Sequence, residues 1–141
     1  MKALKQFVVK KLREPTEKQL NEDIEWVCSS LGFMTPRDQD KTAFKILMAL
    51  VNSAKEGKGL TSEELARRVE PTIGSVIYHL KKLMKAGLVV KLESTYELRM
   101  KSLLSTIDEI QKDINITLED IKKVAEDIDD KVGLEHRYAL A

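Results

Sequence analysis

Three features of the sequence predict a mainly α-helical fold that carries one small β-hairpin. A helix, a break, a second helix and two short strands can be read between Leu60 and Arg99. A heptad repeat runs without interruption from Met100 to about Val132. Amphipathic segments occupy the chain ahead of both. The predicted organisation is therefore N-terminal helices over 1–34, a central domain over 35–99, and a long coiled-coil-like helix with a tail over 100–141.

The central stretch begins LTSEELARRV, which opens on a capping box. Thr61 is placed to accept from the Glu64 N–H while the Glu64 carboxylate reaches back to the Thr61 N–H. Leu65, Ala66 and Val69 share one face of the short helix that follows. Glu70-Pro71 breaks it, since proline has no N–H and pushes its predecessor out of the α region. Thr72 then caps a second helix, Ile73 to Ala86, with Val76, His79, Leu80 and Leu83 turned to the core. Gly87 ends it, as suits a left-handed C-terminal turn. The runs Leu88–Leu92 and Thr95–Arg99 form a tight hairpin. This order, helix, turn, helix and hairpin, is that of a winged helix-turn-helix.

HLKKLMKAGLV, preceded by TSEELARRV, resembles the DNA-binding core of the MarR and ArsR-like winged-helix transcriptional regulators. The resemblance covers about residues 40–100. It implies a second helix that enters the major groove and a wing that lies along the backbone or minor groove. Carried onto this sequence, the groove-facing positions are Thr72, Ile73, Ser75, Ile77, Tyr78 and Lys81. Lys82 and Lys85 complete a basic cluster suited to phosphates, and Lys91 and Arg99 flank the wing. Ile73 and Ile77 stand where relatives often carry polar or basic side chains. No arginine lies on this helix, so bidentate reading of guanine by arginine is absent, while apolar contact with thymine methyls remains open. The hairpin turn carries Glu93, which does not suit insertion into the minor groove.

Residues 1–15 are expected to form a basic amphipathic helix, with Leu4, Phe7, Val8 and Leu12 on a stripe, Lys2, Lys5, Lys10 and Lys11 around it, and Pro15 as its stop. It serves either packing, a DNA-contacting arm or a membrane surface; the short stripe without tryptophan favours packing. A second helix starts near Thr16 and stops at Gly32, with Leu20, Ile24, Val27 and Leu31 at heptad spacing for another helix. Trp26 and Cys28 sit beside that stripe, and the lone cysteine reads as a small buried hydrophobe rather than a thiol sensor. Thr35-Pro36 opens a third helix to about Lys55, whose apolar face is Ala43, Ile46, Leu47, Leu50 and Val51. Gly74 is unfavourable within a helix by ~1 kcal/mol, a cost explained by close approach of DNA or of a neighbouring helix, or by chance in a first turn where it is smaller.

In the C-terminal helix, Met100, Ile107, Ile114, Ile121 and Ile128 fall at one heptad position. Leu103, Ile110, Thr117, Val124 and Lys131 fall at the other, and Leu104, Leu118, Ala125 and Val132 widen the stripe. Asp113, Asp120 and Asp127 stand on the opposite flank, expected at a solvent rim or near the basic N-terminal segment. Such a helix is ~50 Å long at 1.5 Å per residue, more than a core of some sixty residues covers. The expected dimerisation residues are Leu20, Ile24, Val27, Leu31, Leu103, Ile107, Ile110, Ile114, Leu118, Ile121, Val124 and Ile128. The widened stripe favours a bundle that includes the second helix over an isolated two-stranded coil.

With 141 residues, 43% hydrophobic and 33% charged, the chain suits one domain with appended helices. A single cysteine excludes an intrachain disulfide, and no stretch spans a bilayer; both favour a soluble, cytoplasmic protein. The net charge of +1 hides an uneven distribution. Residues 1–15 carry five Lys/Arg against one acid, residues 61–102 eight against five, and residues 103–141 five against ten. Basic and acidic segments kept apart in this way give a polyanion-facing side and a remote solvated side. Two distant histidines, His79 and His136, with one cysteine give no metal-ligand spacing. Phosphate-binding glycine loops, nucleophile elbows and HExxH are lacking, so neither an enzyme nor a cofactor is expected. The expected function is a homodimeric DNA-binding transcriptional regulator on double-stranded DNA, with the helix over 72–86 in the major groove. The alternative is a winged-helix protein-interaction module using Ile73, Ile77 and Tyr78. Operator sequence, regulated genes, regulatory sign and effector ligand are not legible in the residues.

Overall fold

The computed structural model of the protein describes residues 5–16, 19–34, 41–69 and 72–134. In chain order the elements are α1 (Leu20–Ser30), α2 (Thr42–Ala54), α3 (Ser62–Val69), α4 (Ile73–Lys85), β1 (Val89–Leu92), β2 (Thr95–Leu98) and α5 (Leu103–Val132). The fold is mainly helical, with one two-stranded antiparallel sheet after the helix-turn-helix. It divides into two compact units, Met1–Ile110 and Gln111–Ala141.

Local sequence rules set the borders of the first unit. The Thr61 N–H donates to Glu64 Oε1 and the Glu64 N–H donates to Thr61 Oγ1, both at 3.1 Å, which is the predicted reciprocal capping box. The Thr61 N–H bond to the ionised carboxylate, with a smaller contribution from the Thr61 side chain, holds the Glu64 pKa below the usual carboxylate value. Thr72 caps α4 by accepting from the Ser75 N–H at 3.2 Å. Gly87 closes α4 at φ +84°, and the Leu88 N–H returns to the Leu83 carbonyl at 3.0 Å. The break at Glu70-Pro71 and the start at Thr35-Pro36 lie outside the described residues, as do Lys2, Leu4 and His136.

Strands β1 and β2 pair in the register Val89 with Leu98 through Leu92 with Thr95. Glu93 turns the hairpin at φ +58°, a conformation that a non-glycine residue seldom adopts. A third piece of chain ties the hairpin down. Leu60 and Tyr96 exchange backbone bonds, N–H to O, of 2.9 and 2.7 Å. Gly59 makes that approach feasible, because a Cβ there would lie 2.6 Å from Thr95 Oγ1. The core beneath consists of Ile46, Leu47 and Leu50 from α2, Leu65 from α3, and Val76, Leu80 and Leu83 from α4, all completely buried. Cys28 is buried as well, and desolvation pushes its thiol up to about 12, so it remains protonated near neutral pH. His79, predicted to face the core, is half-buried, with its ring edge-on to Tyr78 at 5.3 Å between centroids.

The basic helix expected over residues 1–15 is not formed across residues 5–15, which run as an irregular strap. The Gln6 N–H donates to the Lys85 carbonyl at 3.0 Å and the Lys10 N–H to the Ser30 carbonyl at 2.7 Å. Both acceptors lie at helix C-termini, where the last carbonyls lack intrahelical donors. Adjacent β-branched residues Val8 and Val9 also weaken a short helix. The strap fits closely, since a Cβ on Gly32 would lie 2.7 Å from Val8 Cγ1.

The long helix starts at Leu103, three residues later than the heptads imply. Ser102 sets that start by accepting from the Ser105 N–H at 3.0 Å. In the first unit Ile110 is buried, while Leu103 and Ile107 are half-buried. Within the second unit the helix is apolar on one stripe yet uncovered: Ile121, Val124 and Ile128 are 57%, 58% and 54% exposed. Ile114 is half-buried, Leu118 is exposed, and Asp120 and Asp127 are exposed.

Candidate nucleic-acid interface

The candidate surface is the outer face of α4. Val76, Leu80 and Leu83 bury one side of the helix, so the 3.6-residue period turns Ile73, Tyr78, Lys81, Lys82 and Lys85 outward, and all five are exposed. Ser75 and Ile77 lie at the border and are half-buried. Thr72 is exposed, with its hydroxyl oxygen engaged as the cap. From Ile73 to Lys85 the helix contains no carboxylate, so nothing within it neutralises the three lysines.

Lys82 Nζ lies 4.9 Å from the centre of the Tyr78 ring, where the ring face attracts the cation. This contact holds a lysine and an aromatic ring side by side on the exposed helix. Gly74 is exposed, and among the described residues outside its own helix backbone an added Cβ would meet Thr72 Oγ1 at 3.9 Å. Close packing by the described part of the chain is therefore not why glycine stands there.

The wing candidates separate. Lys91 is exposed, with its ammonium 5.5 Å from the Tyr96 ring centre. Arg99 is half-buried and sits 4.0 Å from a Glu109 carboxylate oxygen, so it is partly committed to α5. Beside α4 the structure also shows a groove of about 420 Å³, lined by Gln6, Val8, Leu31 and Phe33 together with Tyr78 and the three lysines. Sequence reasoning missed that neighbourhood, because the strap was read as a helix. The β-branched Val8-Val9 pair was the available signal.

Residues 39–91 match the family model of a helix-turn-helix domain. The match runs from just before α2 into β1, so it covers the helix pair and the start of the wing. The helix-turn-helix assignment therefore stands on both the match and the fold, whereas MarR/ArsR-like membership goes beyond what the match covers. Searches of curated proteins and of solved structures gave no match. Among the described residues no group of three or more His, Cys, Asp or Glu is arranged to hold a metal ion. None of the described helices is long and apolar enough to cross a membrane.

Proposed function

We propose that the protein is a DNA-binding transcriptional regulator that acts as a homodimer, with α4 in the major groove. The carrying observation is the carboxylate-free α4, whose lysines 81, 82 and 85 are exposed on a capped and packed helix-turn-helix. Lysine ammoniums neutralise phosphates, and release of the displaced counterions drives binding. Tyr78 and Ile73 lie among them as apolar groups for base edges and thymine methyls. Lys91 on β1 adds a flank contact, and Arg99 contributes less because of Glu109.

Dimerisation rests on the uncovered stripe of α5. Leaving Ile121 and Ile128 in water forfeits roughly 1.5–3 kcal/mol per side chain relative to burial. A second copy offers the same stripe, and two subunits address half-sites about 34 Å apart. Ile24 and Ile110 are already covered by the chain itself. The interface therefore draws on Ile114, Leu118, Ile121, Val124 and Ile128, with Leu20 and the half-buried Val27, Leu31, Leu103 and Ile107 as contributors. A protein-interaction module is the second reading, favoured by Ile73 at 45% and Tyr78 at 56% exposure.

Gel shifts on duplex DNA over a salt series separate the two readings. Wild type binds at low salt with a steep log–log slope. Replacing Lys81, Lys82 and Lys85 by Ala flattens it by up to about 0.9 per lost phosphate contact. Absence of binding at low salt favours the interaction module, and an unchanged slope removes α4 from the backbone.

A further inference from the structure

We propose that the strap, residues 5–13, is a second phosphate-binding element that extends the α4 surface beyond the C-terminal end of the helix; this rests on the DNA-binding reading above. The sequence KQFVVKKLR contains Lys5, Lys10, Lys11 and Arg13 and no carboxylate. Alone, such a run is an ordinary basic tail. Here it is held in place at three points. The Gln6 N–H donates to the Lys85 carbonyl, the Lys10 N–H donates to the Ser30 carbonyl, and Val8 packs against Gly32.

The first of these points decides which basic groups become neighbours. Lys85 is the last residue of α4 and one of its three exposed lysines, and its own carbonyl receives the strap. Gln6 and Val8 line the same groove as Lys81, Lys82 and Lys85. Lys10, Lys11 and Arg13 are all exposed. Residues 5–13 of the strap and α4 thus form two adjacent carboxylate-free stretches that carry seven Lys and Arg side chains, with Glu14 the one acid on the strap just beyond them. Burial does not explain the strap's composition, because Lys10, Lys11 and Arg13 are exposed and Val8 itself is 47% exposed. The helix C-termini at Ser30 and Lys85 favour nearby positive charge, and the bonds that seat the strap on them are made by its backbone N–H groups.

Duplex DNA is the polyanion that fits. A chain of eight residues, 6–13, spans at most about 27 Å when extended, and each strand presents a phosphate about every 3.4 Å of helix axis. The strap therefore lengthens the contacted site by up to about eight base pairs beyond what α4 covers. Those contacts are to phosphates and carry no sequence preference.

The test uses the full chain with Lys10, Lys11 and Arg13 all changed to Gln, alongside the separate Lys81/Lys82/Lys85→Ala variant, on one duplex. The readouts are the salt slope and hydroxyl-radical footprint. Loss of three contacts lowers the slope by about one to three units and removes protection of the flanking base pairs, while the α4 footprint stays in register. Gly32→Ala keeps every charge but collides with Val8; it also loses the flanking protection. An unchanged slope and footprint in the Gln variant, with the α4 variant flattened, overturns the strap and leaves the DNA-binding reading intact. Wild type that binds no duplex at low salt overturns both.

Discussion

The two halves of the molecule use the same apolar pattern for opposite ends. In α4, Val76, Leu80 and Leu83 recur at helical spacing and are completely buried by the chain that carries them. In the second unit, Leu118, Ile121, Val124 and Ile128 recur just as regularly and are exposed. An apolar stripe that its own chain covers is a core; one that remains exposed is a surface meant for something else. Only the core stripe contributes to the stability of an isolated chain, whereas the α5 stripe contributes when it is covered.

Truncation distinguishes the two stripes. Leu80→Ala removes a fully buried side chain and lowers the unfolding free energy of the first unit by about 2–5 kcal/mol. Denaturant unfolding read at several protein concentrations measures this, and the loss is the same at each. Ile128→Ala removes an exposed side chain, so its penalty depends on concentration: it appears where chains associate and vanishes on dilution. A concentration-independent loss of core size for Ile128→Ala breaks the comparison.

A smaller effect concerns the border of the core unit. Thr61→Ala deletes half of the capping box and costs about 1 kcal/mol. It also alters the acid limb. In the folded protein the Glu64 pKa is depressed, so its contribution is present above the ordinary glutamate value and is lost as pH falls through the folded value. Unfolding from neutral pH down to pH 3 shows this slope in wild type and a shallower one in Thr61→Ala.

The parts of the fold that were legible in the sequence are those set by near neighbours. The Thr61–Glu64 box, the Thr72 cap, the Gly87 stop and the Glu93-Ser94 turn each depend on residues within a few positions, so residue type and spacing suffice. The strap was misread for the opposite reason. Gln6 and Lys10 find acceptors at Lys85 and Ser30, partners that no local pattern announces, and those bonds replace the helix their amphipathicity implied. The Leu60–Tyr96 bridge was missed likewise, although Gly59 was its trace. On the candidate site, helical period marked Val76, Leu80 and Leu83 as inward, and Tyr78 and Lys81, which the resemblance placed outward, are exposed. It could not foresee that Arg99 sits beside Glu109, ten residues further along the chain.

Sedimentation equilibrium at micromolar concentration tests the central claim most directly, applied to wild type and to the double variant Ile121→Asp with Ile128→Asp. Four carboxylates on a covered apolar seam would each be desolvated beside like charge, a cost that defeats association. Wild type is predicted to have twice the chain mass and the variant a single chain mass, with the first unit still folded by circular dichroism. A wild type of single chain mass, or a double variant that stays paired, contradicts the account.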